Sequence, residues 1–190
     1  IGVFTQNKPE SLFMDFGAFG IRAVTVPLYA TSSEAQVHYI LEDAQIRYLF
    51  VGEQQQYDVA FRVMALSSSL KQIVAFDRDV KFDAQDQTSI YMDDFLAMGK
   101  DGKHQQEVDK RTAESQKEDL MNILYTSGTT GESKGVMLSH AGYESVMDAH
   151  CERFPGLGEN DVVINFLPFT HVFERAWSCW CWCVGAELPL

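Results

Sequence analysis

The sequence predicts an α/β fold, a mainly parallel sheet flanked by helices, and three observations predict it. Apolar runs recur at 23–29, 46–52, 71–77 and 121–127. Each has the length of a strand, and the 46–52 run is nearly all apolar, as a strand covered on both faces must be. Two of the gaps between them carry apolar residues at helical spacing, the mark of a helix with one buried stripe. Helix and buried strand in alternation mean βαβ units, whose crossovers set neighbouring strands parallel.

Along the chain, Asn7-Lys8-Pro9-Glu10 reads as a helix start: a side chain able to cap, an early proline and an acid in the first turn. Leu12, Phe16 and Phe19 then share a face. AVTVPLY, 23–29, is a β-rich run closed by a turn at Thr31-Ser32-Ser33. The clearest helix follows, with Val37, Ile40, Leu41 and Ala44 at i, i+3, i+4 and i+7. IRYLFVG, 46–52, reads as a buried strand. Tyr57, Ala60, Phe61 and Met64 repeat the helical spacing, and KQIVAFD, 71–77, is strand again. From 83 to 119 the chain turns acidic and Gln-rich, with one amphipathic patch, YMDDFLAM, and reads as a surface excursion. The pattern resumes with a strand at 121–127, a glycine-rich loop, a short strand GVMLSH and a helix over 141–154. A strand at 161–168, DVVINFLP, and an apolar helix over 172–184 complete it.

With 190 residues, 46% of them hydrophobic, the chain has material for one sizeable core, which excludes a disordered protein. Its 15 basic and 27 acidic residues give a net charge of −12, the wrong sign for a general nucleic-acid binder. The most apolar stretch, 176–186, is too short to cross a bilayer and is flanked by Glu174, Arg175 and Glu187. The expectation is a cytoplasmic protein with room for peripheral contact with a membrane, its four cysteines kept as thiols. Residue 1 is Ile, and the closing GAELPL reads as the opening of another strand, so the sequence is expected to be a piece of a longer protein.

YTSGTTGESKG, 125–135, lies between two of these strands. It is not the phosphate loop G-x-x-x-x-G-K-S/T, because Ser133 precedes Lys134 and Gly135 follows it. Consecutive backbone N–H groups in a glycine-rich turn still form a concavity for anions, and Thr126, Ser127, Thr129 and Thr130 add hydroxyl donors. Glu132 and Lys134 cancel, so attraction for phosphate comes from oriented dipoles and a divalent cation. A flexible Ser/Thr/Gly connector has the same composition; the order of residues separates the two.

That order resembles the signature loop of the adenylate-forming enzymes, the AMP-binding superfamily of acyl-CoA synthetases, luciferases and peptide-synthetase adenylation domains. Their pattern is Y/F-T-S/T-G-T-T-G-x-P-K-G, and the one departure is Ser133 where proline is usual. FLPFTHVFER, 166–175, resembles the L-P-L-x-H-x-x-E-R run of long-chain fatty-acyl-CoA synthetases. NKPESLFMDFGAFGIRAVTVPLYATSS, 7–33, looks like the opening of the same group's large N-terminal domain. The resemblance implies that 1–190 is part of that domain: a βαβ lobe at 1–82, the acidic excursion at 83–119, and the phosphate loop with part of the acyl pocket at 120–190. The C-terminal domain and the later Y-G-x-T-E segment are not in the sequence.

The implied reaction is ATP-dependent activation of a fatty acid to its acyl-adenylate, then thioester formation with coenzyme A. Thr126, Ser127, Gly128, Thr129, Thr130, Gly131 and Lys134 would bind the phosphates of ATP, with Thr126 also near Mg²⁺. His171 would line the junction of the acyl and adenylate sites, and the helix after it would be buried all round and wall the acyl tunnel. The partners implied are the small molecules fatty acid, ATP and coenzyme A, with no nucleic acid. The piece by itself is expected to bind ATP weakly, to make no acyl-CoA, and to self-associate or be marginally stable. An amino-acid or other carboxylate adenylation domain and a non-catalytic nucleotide-binding relative remain open as alternatives.

The remaining polar residues read as structural. Glu174 and Arg175 are adjacent and do not face one another on a helix, so each is expected to pair elsewhere. His38, His104, His140 and His150 read as surface or packing groups. In CWCWC, Cys179, Cys181 and Cys183 would share a face on a strand, but on a helix only Cys179 and Cys183 adjoin, and no C-x-x-C pair is present.

Overall fold

A computed structural model describes residues 1–126 and 133–188. Strands β1 (Gly2–Phe4), β2 (Val26–Leu28), β3 (Tyr48–Val51), β4 (Gln72–Ala75) and β5 (Ile90–Tyr91) form a sheet in the order β2-β1-β3-β4-β5. Every pairing in it is parallel. Helices α1 (Pro9–Gly20), α2 (Glu34–Asp43) and α3 (Gln54–Met64) supply the crossovers between its first four strands.

Alternation along the strands explains the two-sided cover. Phe4, Leu49, Val51, Ile73 and Ala75 point to one face and pack with Val37, Ile40 and Leu41 of α2 and with Tyr57, Ala60 and Val63 of α3. Val3, Phe50 and Val74 point to the other, against Met14 of α1 and against Met92 and Phe95 of α4 (Met92–Ala97). The α2 stripe is thus buried as its spacing predicts. Its start is a capping box in which the Ser33 hydroxyl accepts from Gln36 N and the Gln36 side chain accepts from Ser33 N.

Helix α1 forms where it is read, but the face shared by Leu12, Phe16 and Phe19 is only partly buried. Its buried residues are Ser11, Leu12, Met14, Asp15 and Ala18, while Phe16 is 38% exposed. The buried face carries a carboxylate because that carboxylate has a partner elsewhere in the fold. Phe16 instead meets Trp182 at a ring distance of 4.6 Å on the periphery. Asn7 does not cap this helix either: the N-cap position is Lys8, and no side chain bonds there.

The acidic segment is only partly an excursion. Its Ile90 and Tyr91 extend the sheet beside Val74 and Ala75, and the patch that follows is α4; α5 (Gln105–Ala113) has no buried residue. Strands β6 (Leu120–Thr126) and β7 (Lys134–Ser139) pair antiparallel. The pair joins the parallel sheet beside β2 through Thr25, whose N–H donates to Met121 O at 3.1 Å and whose carbonyl accepts from Ile123 N at 3.0 Å. Helices α6 (His140–Arg153) and α7 (Val172–Cys183) follow. No strand forms over 161–168 among the described residues. A single parallel bridge, Val162 to Glu187, stands there. Val162, Ile164 and Phe166 are left exposed.

One close approach fixes the end of the sheet. A Cβ on Gly52, just after β3, would lie 1.8 Å from Thr5 Oγ1 and 2.6 Å from Thr5 Cβ. Gly52→Ala is therefore expected to cost about 1–3 kcal/mol, the range for overpacking a tight site. Urea unfolding monitored by circular dichroism checks it, and an unchanged midpoint would contradict the contact.

Candidate functional site

The loop stems come first. Thr126 closes β6 and Lys134 opens β7, and the register sets them opposite one another at the open end of the hairpin, both exposed. Ser127, Gly128, Thr129, Thr130 and Gly131, also read as phosphate-binding, lie outside the described residues. One pair further in, Gly135 faces Tyr125, and a Cβ there would stand 2.9 Å from Ile123 Cγ2 and 3.2 Å from Tyr125 Cζ. The stem is thus closed by a glycine against a ring. The Tyr125 hydroxyl donates to Asp43 Oδ2 at 2.5 Å and its ring meets Tyr39 edge-on, which ties the hairpin to the end of α2. Burial, then the Asp43 carboxylate, pushes the Tyr125 phenol above its ordinary value, so it stays a donor.

A buried polar chain runs from this strand to α7. Asn122 Nδ2 donates to Thr25 Oγ1 at 2.5 Å, and Thr25 Oγ1 donates to Asp15 Oδ1 at 2.7 Å. Asp15 receives both terminal nitrogens of Arg175, at 2.7 and 3.3 Å. Asp15, Thr25 and Asn122 are fully buried and Arg175 is 1% exposed. Burial pushes the Asp15 carboxyl up, and the Arg175 guanidinium and Thr25 hydroxyl oppose it. Arg175 is the ion-pairing group expected from sequence. Glu174 has no ion pair among the described residues: it is buried, its carboxyl is pushed up by that burial, and its Oε2 accepts from Leu167 N at 3.3 Å. Sequence reading missed Asp15, although a lone acid inside the apolar run SLFMDFGAFG was the available signal.

His171 is the N-cap of α7, and its Nδ1 accepts from Phe173 N at 3.2 Å. With Nδ1 engaged as an acceptor, the neutral imidazole carries its proton on Nε2, which leaves an exposed N–H donor. No hydrogen bond or ion pair among the described residues joins His171 to Thr126 or Lys134. The helix it opens is not buried all round. Glu174 to Ala176 and Ser178 to Cys181 are buried, whereas Val172, Phe173 and Trp182 are exposed. Trp177 and Trp180 pack with His150 and Phe154, so His150 is a packing group as read, and Trp182 lies apart with Phe13 and Phe16. Burial pushes the Cys179 thiol up to about 12 and that of Cys181 to about 11, which keeps both protonated.

At the carboxyl ends of β1 and β2 lies a cavity of about 550 Å³. Parallel sheets bind ligands at this end of their strands. Ser11 Oγ, Gln56 Oε1, Thr170 Oγ1 and Arg175 Nε all belong to residues that line it, and all lack a hydrogen-bond partner. These four atoms are themselves buried, behind a wall to which Leu28, Phe166 and Phe169 also contribute apolar surface.

The chain belongs to the AMP-binding enzyme family, whose profile matches residues 1–189. It is 32% identical over 199 residues to long-chain-fatty-acid–CoA ligase 1 of Homo sapiens, a match that covers 99% of this chain and 28% of that protein. Fatty acyl-CoA synthetase A of Dictyostelium discoideum is 32% identical over 182 residues, 93% of this chain and 26% of that one. The chain thus spans little more than a quarter of these curated relatives. Among solved structures, an anthranilate CoA ligase in complex with anthranoyl-AMP superposes with a TM-score of 0.79 at 22% identity, over 100% of this chain and 34% of its own. The fold is therefore that of part of the large N-terminal domain of adenylate-forming enzymes.

Proposed function

We propose that the chain is part of a long-chain fatty-acid–CoA ligase of the AMP-forming, acid–thiol class. The observation that carries the reading is the run 166–175, which has the residue order of the long-chain group and is held in place by the Asn7 and Asp15 side chains from a distant part of the fold. In the first half-reaction a fatty carboxylate oxygen attacks the α-phosphorus of ATP and pyrophosphate leaves. In the second, the coenzyme A sulfur attacks the acyl carbon and AMP leaves. A poor leaving group is exchanged for a good one, which splits one hard acyl transfer into two easier steps.

In this reading the loop from Thr126 to Lys134 receives the β- and γ-phosphates, with Ser127, Gly128, Thr129, Thr130 and Gly131 between. The pairing of Thr126 with Lys134 supports it, since a hydroxyl and an ammonium stand together at the mouth of the hairpin. Thr126 offers one exposed hydroxyl to Mg²⁺, which suits an ion that keeps most of its water and takes its other ligands from phosphate. The ion would neutralise charge on the phosphates, a need that is acute in a chain of net charge −12. His171 presents Nε2–H at the junction of the acyl and adenylate sites.

The full-length ligase is expected to form coenzyme A esters fastest with long-chain fatty acids. A panel of carboxylic acids, followed by ester formation and by acid-dependent ATP–pyrophosphate exchange, tests this. A profile that peaks at acetate, or adenylation of a free amino acid, would replace it with another carboxylate-activating reading. No helix among the described residues is long and apolar enough to cross a membrane, and peripheral contact with one remains part of the proposal.

A further inference from the structure

Asn7 stands just before α1, where sequence makes it a cap, yet its side chain turns away from that helix. Its Nδ2 donates to Leu167 O at 2.7 Å and its Oδ1 accepts from Phe169 N at 3.0 Å. One primary amide thus supplies a strand-like pair of bonds to a backbone 160 residues away. The segment it grips belongs to no strand or helix, and the backbone bridge at Val162 lies five residues before Leu167. Leu167 N donates to Glu174 and His171 N donates to Pro168 O at 2.8 Å. Without Asn7, Leu167 O and Phe169 N lose their partners. His171 follows two residues later, and because Phe173 N–H holds its Nδ1, the direction of Nε2–H follows the turn at 168–171.

We propose that Asn7 is a positioning residue for His171, its amide fixing 167–169 and thereby aiming the imidazole N–H at the reacting carboxyl–phosphate centre. The inference rests on the role given to His171 above. The residue type is specific. Aspartate keeps an acceptor for Phe169 N but sets a charge against Leu167 O, and alanine supplies neither bond.

The test uses the full-length ligase and four variants: Asn7→Ala, Asn7→Asp, His171→Ala and the double Asn7→Ala/His171→Ala. Fatty-acid-dependent ATP–pyrophosphate exchange and thermal unfolding are measured for each. Asn7→Ala is expected to lower kcat roughly 10- to 100-fold, the loss that follows a small misplacement of a reacting group, with the KM for ATP little changed. In the double variant the second substitution should add less than about twofold, because coupled sites are not additive. Multiplied losses would mean that Asn7 stabilises without positioning, and would overturn the inference, as would a wild-type rate in Asn7→Ala. Asn7→Asp, which preserves volume, carries the same test where Asn7→Ala does not fold. A wild-type rate in His171→Ala removes the role of His171 and this inference with it. A slow His171→Ala beside an unaffected Asn7→Ala removes the inference alone.

Discussion

Asp15→Ala is expected to lose about 3–5 kcal/mol of stability, the cost of leaving one member of a buried ion pair without its counter-charge. Arg175 is 1% exposed and Asp15 is its ion-pair partner, at 2.7 Å. Against a total stability of about 5–15 kcal/mol for an ordinary domain, one substitution removes a large share. Arg175→Ala is expected to do the same from the other side, since Asp15 would keep only the Thr25 hydroxyl. Replacing both at once, Asp15→Leu with Arg175→Met, should recover most of the loss, because the unpaired charge rather than the lost attraction dominates the penalty. Urea unfolding midpoints of the three variants decide it. Single variants with the wild-type midpoint would contradict a desolvated pair.

The largest effect on activity is expected at the loop. Thr129→Val together with Thr130→Val in the full-length ligase should lower ATP–pyrophosphate exchange by about 10²- to 10³-fold, the scale for removing donors aimed at developing charge. Valine keeps the shape of threonine and removes only the hydroxyl, so thermal unfolding should be nearly unchanged. Exchange at the wild-type rate would rule out phosphate binding by these two hydroxyls.

What the sequence made legible follows from the range of the forces involved. The α2 stripe of Val37, Ile40 and Leu41 and the buried β3 run express local periodicity, and both were readable because burial imposes a period of its own. The strand expected at 161–168 failed for the opposite reason: a strand needs a neighbour, and propensity cannot supply one. Spacing puts Phe16 on one face with Leu12 and Phe19, but the burial of that face was not readable, because the helix is turned so that Asp15 meets Arg175. Asn7 was read as a cap because capping is the local use of that side chain, and the structure puts it to a distant one. In the candidate site, residue types were readable from motif order, but their fixings (Asn122, Thr25, Asp15 and Asp43) were not, since each acts across a long stretch of chain.

The link between Asp15 and Arg175 also orders events during synthesis. At about 5–20 residues per second, the ribosome needs on the order of ten seconds to add the residues that separate the two, 160 apart in sequence. Throughout that interval α1 cannot dock with its carboxylate paired, and burial of an unpaired charge is disfavoured. The β1–β4 sheet can form early from its own crossovers, while α1 stays loosely attached until α7 emerges. Closing of that flank in the nascent chain is therefore expected to wait on a single guanidinium, and Arg175→Met alone should leave α1 less protected from hydrogen exchange than the β1–β4 strands.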